Sequence, residues 1–509
     1  MTTYAFPSLR REGLTMILGL GETGVAAGAW CARHGASLRV VDTRSEPAGL
    51  SALQDLLGEI TIDQRFGPDA LSASALDDVH TIVLSPGLAP HEEPVAGLLA
   101  MAAERDIEVI GEIELFARAL ADMAAEGYSP KVLAVTGTNG KTTVTVMTRQ
   151  LVQASGMSAA SAGNISPAAL TALMQALDAN QLPEVWILEL SSFQLETLSS
   201  LSADAAVILN VTQDHLDWHG DMQSYAKAKA RLFQLARNVV VNRDDPWVQG
   251  MVQRLDAPQV RSFGKDAPEL DGDLGLESSA GVVWLTASEA MDFDIPVSTG
   301  RRKKEQAELV RHPGRLTRLM PADAIRVRGT HNALNALAAL ALGRSLDLGW
   351  AAMLRALRDY TGEPHRMEFV RTVADIEFVN DSKGTNVGAT VAALEGSTQK
   401  VVLIAGGLGK GQDFSLMTRA VRDAARAVVL IGQDAELIAR ALQPAGVSLT
   451  RADSMAHAVR QAFDLAQPGD IVLLSPACAS MDMFKNYPHR GQVFRDEVRE
   501  LALDRGEIE

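Results

Sequence analysis

Cysteine is nearly absent: Cys31 and Cys478 are the only two in 509 residues. Two such thiols build neither a disulfide framework nor a cysteine zinc site, and both read as buried or idle. No apolar run approaches the roughly 18–20 residues that a membrane span needs, so no membrane span is expected. The segment from Met1 to Gly13 holds Arg10 and Arg11 but no apolar stretch followed by a small-residue cleavage site. No signal peptide is therefore expected, and the protein is expected to be cytoplasmic. Basic residues are also short, 47 against 63 acidic, for a net charge of −16. Nonspecific nucleic-acid binding relies on basic surface, so no nucleic-acid partner is expected. The one dense basic run, Arg301-Arg302-Lys303-Lys304, sits in a polar stretch over residues 264–328 and reads as solvated surface.

What is present is alternation. The length calls for two to four domains, and short apolar β-like runs followed by helical periodicity form three blocks. They predict an α/β chain with mostly parallel sheets, divided at 1–107, 108–361 and 362–509. The first block places strands at Thr15–Leu18, Leu38–Val41 and Thr81–Leu84. The second places them at Val132–Val135, Val185–Leu190, Ala205–Leu209 and Val239–Val241, with a small hairpin before Gly329 and a helix over Asn332–Arg344. The third, after the turn Thr361-Gly362-Glu363-Pro364, places them at Ile376–Val379, Val401–Ile404, Val428–Ile431 and Ile471–Leu474.

Gly137-Thr138-Asn139-Gly140-Lys141-Thr142-Thr143 lies between a strand and a helix, the context of a phosphate-binding loop. There, backbone N–H groups and the helix N-terminus meet phosphate oxygens. Lys141 can reach a γ-phosphate, and the Thr142 hydroxyl can join a Mg²⁺ shell. Val135 stands where the usual pattern has its first glycine, so the loop is a variant. Gly19-x-Gly21-x-x-Gly24, with Asp42 ending the next strand, has the form of a dinucleotide fingerprint. The same geometry holds any diphosphate, and Thr43 and Arg44 are placed to meet a pyrophosphate or a ribose. In the middle block Glu189 ends a strand, where its carboxylate suits Mg²⁺. A neighbouring strand runs into Asp214 and His215, close to a second cation or a substrate phosphate. Lys227 and Lys229, on the following helix, both read as solvated.

Thr136–Thr143, Leu188–Glu196, Gly329-Thr330-His331-Asn332 with Asn335, and Asn380-Asp381-Ser382-Lys383 together resemble the Mur ligase family. Ser192-Phe193-Gln194 and Ser475–Ser480 are similar to its glutamate-adding branch. The resemblance runs from the first glycine motif to about Gly491. It implies an N-terminal Rossmann-like UDP-binding domain, a central P-loop ATPase and a C-terminal Rossmann-like domain. It also implies ATP, two Mg²⁺ ions, and UDP-N-acetylmuramoyl-L-alanine and D-glutamate as substrates, with a monomer as the expected state. The residues alone leave D- and L-glutamate open.

Carried over by motif, Asp42, Thr43, Arg44 and Gly87 are expected to meet the UDP part, and Asn164 and His215 the sugar-alanine part. Lys141 and Thr142 act on the γ-phosphate and its metal, with Glu189 on that first ion. His215 serves a second ion together with Lys229, which the resemblance alone singles out and makes a carbamate. Asn335, Arg366 and Asp381 are expected on ATP. Lys383, Thr385, Lys410, Ser480, Met481 and Tyr487 are expected on glutamate. The residues at 264–328 form a longer stretch than compact members of the family have, and Tyr487 stands where aromatics without a hydroxyl also occur.

Three other readings compete. An NAD-dependent dehydrogenase leaves the phosphate loop and Glu189 without a task. A nucleotide-driven switch does not explain the glutamate-pocket motifs. A sister ligase for folate lacks a separate N-terminal UDP domain, and those for lysine or diaminopimelate use a different C-terminal recognition motif.

Overall fold

A computed structural model describes residues 4–290, 310–327 and 329–507. The first sheet contains β1 (Leu14–Leu18), β2 (Ser37–Asp42), β3 (Asp63–Phe66), β4 (Val79–Leu84) and β5 (Glu108–Ile110), in the order β3-β2-β1-β4-β5. All its pairings are parallel. Because β5 pairs with β4, this sheet extends three residues past the expected limit of 107.

The second sheet holds β6 (Lys131–Thr136), β7 (Ala159–Gly163), β8 (Val185–Glu189), β9 (Ala203–Ile208), β10 (Ala236–Asn242), β11 (Val260–Phe263), β12 (Leu274–Ser279), β13 (Val282–Glu289) and β14 (Arg315–Pro321). Its order is β14-β13-β12-β11-β10-β9-β6-β8-β7. Helices cover both faces, so strands such as β8 are buried along their whole length. The expected small hairpin is β12 with β13; it pairs on to β14 and extends the edge of the main sheet in antiparallel fashion. The basic run Arg301–Lys304 lies outside the described residues.

The third sheet contains β15 (Glu368–Val373), β16 (Ile376–Asn380), β17 (Val401–Gly406), β18 (Ala425–Ile431), β19 (Ser448–Arg451) and β20 (Ile471–Leu474), ordered β15-β16-β20-β17-β18-β19. Only β15 runs antiparallel to its neighbour.

The apolar cores do not follow the three sheets one to one. One cluster joins Phe6, Ile17, Trp30 and Leu53 of the first unit to Phe116, Leu170, Trp186 and Leu232 of the second. The helix Glu112–Ala125 carries that junction, with Phe116 edge-on to Trp186 at 5.2 Å between ring centroids. The third unit packs two clusters of its own, none of whose residues precedes Met367. Both cysteines are buried and burial pushes their thiols up to about 12, as idle core residues require.

Glu112, at the head of the junction helix, is 3% exposed. One carboxylate oxygen accepts the Leu170 N–H at 2.6 Å, and the other has no hydrogen-bond partner. Burial, reinforced by the charge of Glu22, pushes its pKa from 4.5 to about 7. A raised carboxyl pKa means the folded state holds the proton more tightly. The stabilisation is therefore complete below about pH 4.5 and is lost as pH rises through 7, by up to about 3 kcal/mol. Glu112→Gln, which stays neutral, is expected to melt with the parent protein at pH 5 and above it at pH 8. Thermal melts at the two pH values check this; an equal gap at both would place the effect elsewhere.

Candidate active site

Two clefts are prepared by topology, since ligands in open α/β sheets bind where strand order reverses. In the first sheet the reversal lies between β1 and β4. The glycine loop follows β1, and Ser85-Pro86-Gly87 follows β4. Gly24 is forced to be glycine, because a Cβ there would sit 2.1 Å from the Gly19 carbonyl. Asp42 is buried at the end of β2 and accepts the Leu20 N–H at 2.8 Å. The Arg44 guanidinium clamps both its oxygens, at 2.8 and 2.6 Å. Burial works against the Asp42 charge, but these bonds win and hold its pKa below the usual value. A Cβ at Gly87 would meet open space. Asp42, Thr43, Arg44 and Gly87 thus share one end of the first sheet.

In the second sheet the reversal lies between β6 and β9, flanked by the phosphate loop and by residues 210–215. Gly140 has φ 86°, and a Cβ on it would lie 2.6 Å from the Asn335 side-chain oxygen. The left-handed turn and the approach of Asn335 both demand glycine. Lys141 opens the helix Lys141–Ala154 and donates to the carbonyls of Gly137 and Thr138 at 2.8 and 2.9 Å. Lys229 donates to the same Gly137 carbonyl at 3.0 Å, with its ammonium 4.4 Å from the centre of the Tyr225 ring.

From the third unit, Arg366 and Lys383 both donate to the Thr142 hydroxyl, at 2.7 and 3.2 Å. Lys141, Lys229, Arg366 and Lys383 therefore converge on one helix N-terminus. Burial first, and their mutual repulsion next, lower the pKa of Lys229 well below its ordinary value and that of Lys383 to about 8. Burial also lowers Lys141, against the opposing charges of Glu189 and Asp214. A cluster of this kind is built for a polyanion.

Lys229 is 1% exposed, which the solvated reading of it missed. The signal was periodic: Tyr225, Lys229 and Leu232 fall on one buried face of the helix Met222–Gln234, whereas Lys227 is exposed.

Glu189 is buried at the end of β8. Its Oε1 accepts the Asn164 amide at 2.8 Å, and its Oε2 is buried without a hydrogen-bond partner. A desolvated carboxylate oxygen left over beside a phosphate loop fits a hard divalent cation. Among the described residues no three His, Cys, Asp or Glu side chains gather into a metal site. Beyond Glu189, the set expected for two ions contains only Thr142, His215 and Lys229. His215 has φ 53° and stacks edge-on against Phe193 at 4.8 Å. Burial lowers its pKa, with Asp214 opposing, which favours the neutral imidazole a metal requires.

Asn335, Asn139, Gly140, Thr143, Arg366 and Asp381 line one cavity of about 680 Å³ between the second and third units. Asp381 is buried there, accepts the Ser475 hydroxyl at 2.7 Å, and is raised by burial to about 6. Tyr487 opens the last helix with its ring 5.2 Å from the Lys383 ammonium. The Thr385 N–H donates to the Lys383 carbonyl at 2.9 Å, Ser480 is buried, and the charge of Lys410 bears on His215. Met481 is 76% exposed and is not drawn into this cluster.

Two residues escaped the sequence reading. Arg490 is wholly buried; it donates to the hydroxyl and carbonyl of Ser382 at 3.0 and 2.8 Å and to the Cys478 carbonyl at 3.1 Å. It ties together the two turns that carry Lys383 and Ser480. In sequence it is one charged residue among several in a terminal helix, and nothing local marks it. Asn386 bonds across to the phosphate loop, a contact that only the folded chain reveals.

Comparison with known proteins matches the same three units. Residues 14–111 match the Mur ligase MurD-like N-terminal domain, 135–343 the Mur ligase middle domain, and 365–478 the Mur ligase glutamate ligase domain. The UDP-N-acetylmuramoylalanine--D-glutamate ligase of Bordetella bronchiseptica is 64% identical, covering 97% of this chain and 98% of its own. That of Ralstonia nicotianae is 54% identical over 96% and 97%. Among solved structures, the UDP-N-acetylmuramate-alanine ligase of Thermotoga maritima shares the fold, with TM-score 0.55 and 17% identity over 96% of this chain and all of that one. The chain belongs to the Mur ligase family.

Proposed function

We propose that this protein is an ATP-dependent amide ligase that joins D-glutamate to UDP-N-acetylmuramoyl-L-alanine, forming ADP and phosphate, in peptidoglycan precursor synthesis. The observation that carries the reading is the convergence of Lys141, Arg366 and Lys383, from two domains, on the start of one helix. A triphosphate relieves that repulsion. Two of the three cations belong to the domain that binds the incoming amino acid in this reading.

A carboxylate does not acylate an amine at neutral pH, because oxide is a poor leaving group. Transfer of the γ-phosphoryl group to the alanyl carboxylate makes an acyl phosphate, with ADP as the first product. Lys141 and Arg366 neutralise the charge that spreads over the phosphoryl oxygens. The uncharged glutamate amine then attacks the carbonyl carbon. The tetrahedral intermediate collapses to the amide, expelling phosphate and losing the amine proton to solvent or base. Lys383, already partly desolvated, suits a carboxylate of glutamate. Asp42, Thr43, Arg44 and Gly87 hold the UDP part, Asn164 and His215 the sugar-alanine part, and Asn335 and Asp381 the nucleotide. Thr385, Lys410, Ser480 and Tyr487 complete the glutamate pocket.

Two Mg²⁺ ions, on Thr142 and Glu189 and on His215 and Lys229, would supply charge neutralisation between the phosphoryl donor and its acceptor. For the second ion Lys229 needs an anionic oxygen. Its buried amine is suited to acquire one: neutral Nζ attacks CO₂ and releases a proton, leaving a carbamate. A cytoplasmic location and a monomeric state belong to the same proposal. Among the described residues no helix is long and apolar enough to cross a membrane.

The test is phosphate release from ATP and Mg²⁺ with UDP-N-acetylmuramoyl-L-alanine, adding D-glutamate, L-glutamate, lysine or diaminopimelate in turn. Release with D-glutamate, and a product of matching mass, is expected. Release indifferent to the amino acid would sink the ligase reading.

A further inference from the structure

We infer that Asn386 is a positioning residue that registers the glutamate-binding turn of the C-terminal domain against the phosphate loop. The inference rests on the ligase reading above and assigns a task to a residue which that reading does not use.

Asn386 is 3% exposed and its two amide atoms are fully committed. Its Oδ1 accepts the Ala389 N–H at 2.9 Å, capping the helix Val387–Glu395, and also the Asn139 amide at 3.2 Å. Its Nδ2 donates to Asn139 Oδ1 at 3.0 Å and to Asp214 Oδ2 at 3.1 Å. Asn139 and Asn386 thus form a reciprocal amide pair across the domain boundary. Asp214 adds a charge-assisted bond from the residue next to His215. The approach is close: a Cβ on Gly388 would lie 2.7 Å from the Thr212 hydroxyl.

A second bridge between these domains, Arg366 and Lys383 on Thr142, uses groups that the reaction needs elsewhere. Once phosphates and metal engage Thr142, those cations are redirected to the substrates. The amide pair touches neither a phosphate-binding N–H nor a cation, so it can persist through the whole cycle. Asn386 follows Thr385 directly and Lys383 by three positions. Fixing it on Asn139 therefore fixes where the glutamate amine meets the acyl carbon. Positioning of that kind governs the second step, amine attack, and leaves the first largely alone.

Two variants separate this role from helix capping. Asn386→Asp and Asn386→Ser both keep an oxygen acceptor for the Ala389 N–H and lose the Nδ2 donor; the first also faces Asp214 with a like charge. The experiment measures two rates on the full-length enzyme: glutamate-dependent amide formation, and precursor-dependent acyl phosphate trapped as the hydroxamate with hydroxylamine. Amide formation is expected to fall on the order of 10- to 100-fold with a raised KM for glutamate, the loss of one charge-assisted bond. Trapped acyl phosphate is expected to stay close to that of the parent protein in both variants, as is the melting temperature of Asn386→Ser. Equal loss of both rates, or no loss in either variant, overturns the inference. If the parent protein itself forms acyl phosphate but no glutamyl product, it is the ligase reading that fails.

Discussion

Lys141→Met is expected to abolish ligation, lowering kcat by about 10³-fold or more, while the free protein melts no lower than the parent. Methionine keeps the length and the apolar stem and removes only the charge. The activity loss follows because phosphoryl transfer depends almost wholly on positioning and neutralisation of phosphate charge. The stability result follows from crowding. The Lys141 charge is one of the causes that depress Lys383, and the Arg366 charge in turn depresses Lys141, while Lys141 and Lys229 share the Gly137 carbonyl. Removing one member relieves repulsion, and Lys229 still satisfies that carbonyl. Single-turnover phosphate release, together with calorimetric melts, reads both halves. A variant that keeps appreciable activity would remove Lys141 from the γ-phosphate.

Lys229→Ala is expected to cost about 10²- to 10³-fold in kcat, and millimolar formate or acetate to restore part of it. The rescue distinguishes two roles. If the lysine acted as a cation, a small carboxylate would worsen the deficit. If it acts as a carbamate, a free carboxylate entering the space left by the side chain replaces the missing oxygen donor. The direction of its pKa supports the second role. Burial holds the amine well below its ordinary 10.5, which favours the neutral form that reacts with CO₂. Depleting dissolved CO₂ from the parent enzyme should slow it reversibly, with recovery on adding bicarbonate. No rescue by any small carboxylate would leave Lys229 a structural cation.

The legible parts of this chain were those whose chemistry is local. Gly137–Thr143 declares itself because strand, glycine, lysine and helix are contiguous. Glu189 stands out because an acid ending an apolar strand is unusual. Strands failed to show where packing, not composition, makes them. β3 (Asp-Gln-Arg-Phe) is polar at an edge, β7 (Ala-Ala-Ser-Ala-Gly) has almost no side chain, and β19 (Ser-Leu-Thr-Arg) is half exposed. At the site, Asn386 and Arg490 stayed hidden because their meaning lies in partners far along the chain, 247 residues away for Asn139 and 108 for Ser382. Lys229 is intermediate, since its helical face was readable while its burial beside Lys141 was not.

The shared core between the first two units has a thermodynamic consequence. Where one apolar cluster runs through two sheets, neither half can lose its packing without stripping the other, so they are expected to unfold as one cooperative block. The C-terminal unit keeps its cores to itself and meets the rest through polar bonds that water can replace. Swinging it open exposes little hydrocarbon, so the heat-capacity change of that motion should be small. Heating should then reveal two calorimetric steps from three domains, the divide falling near Gly362.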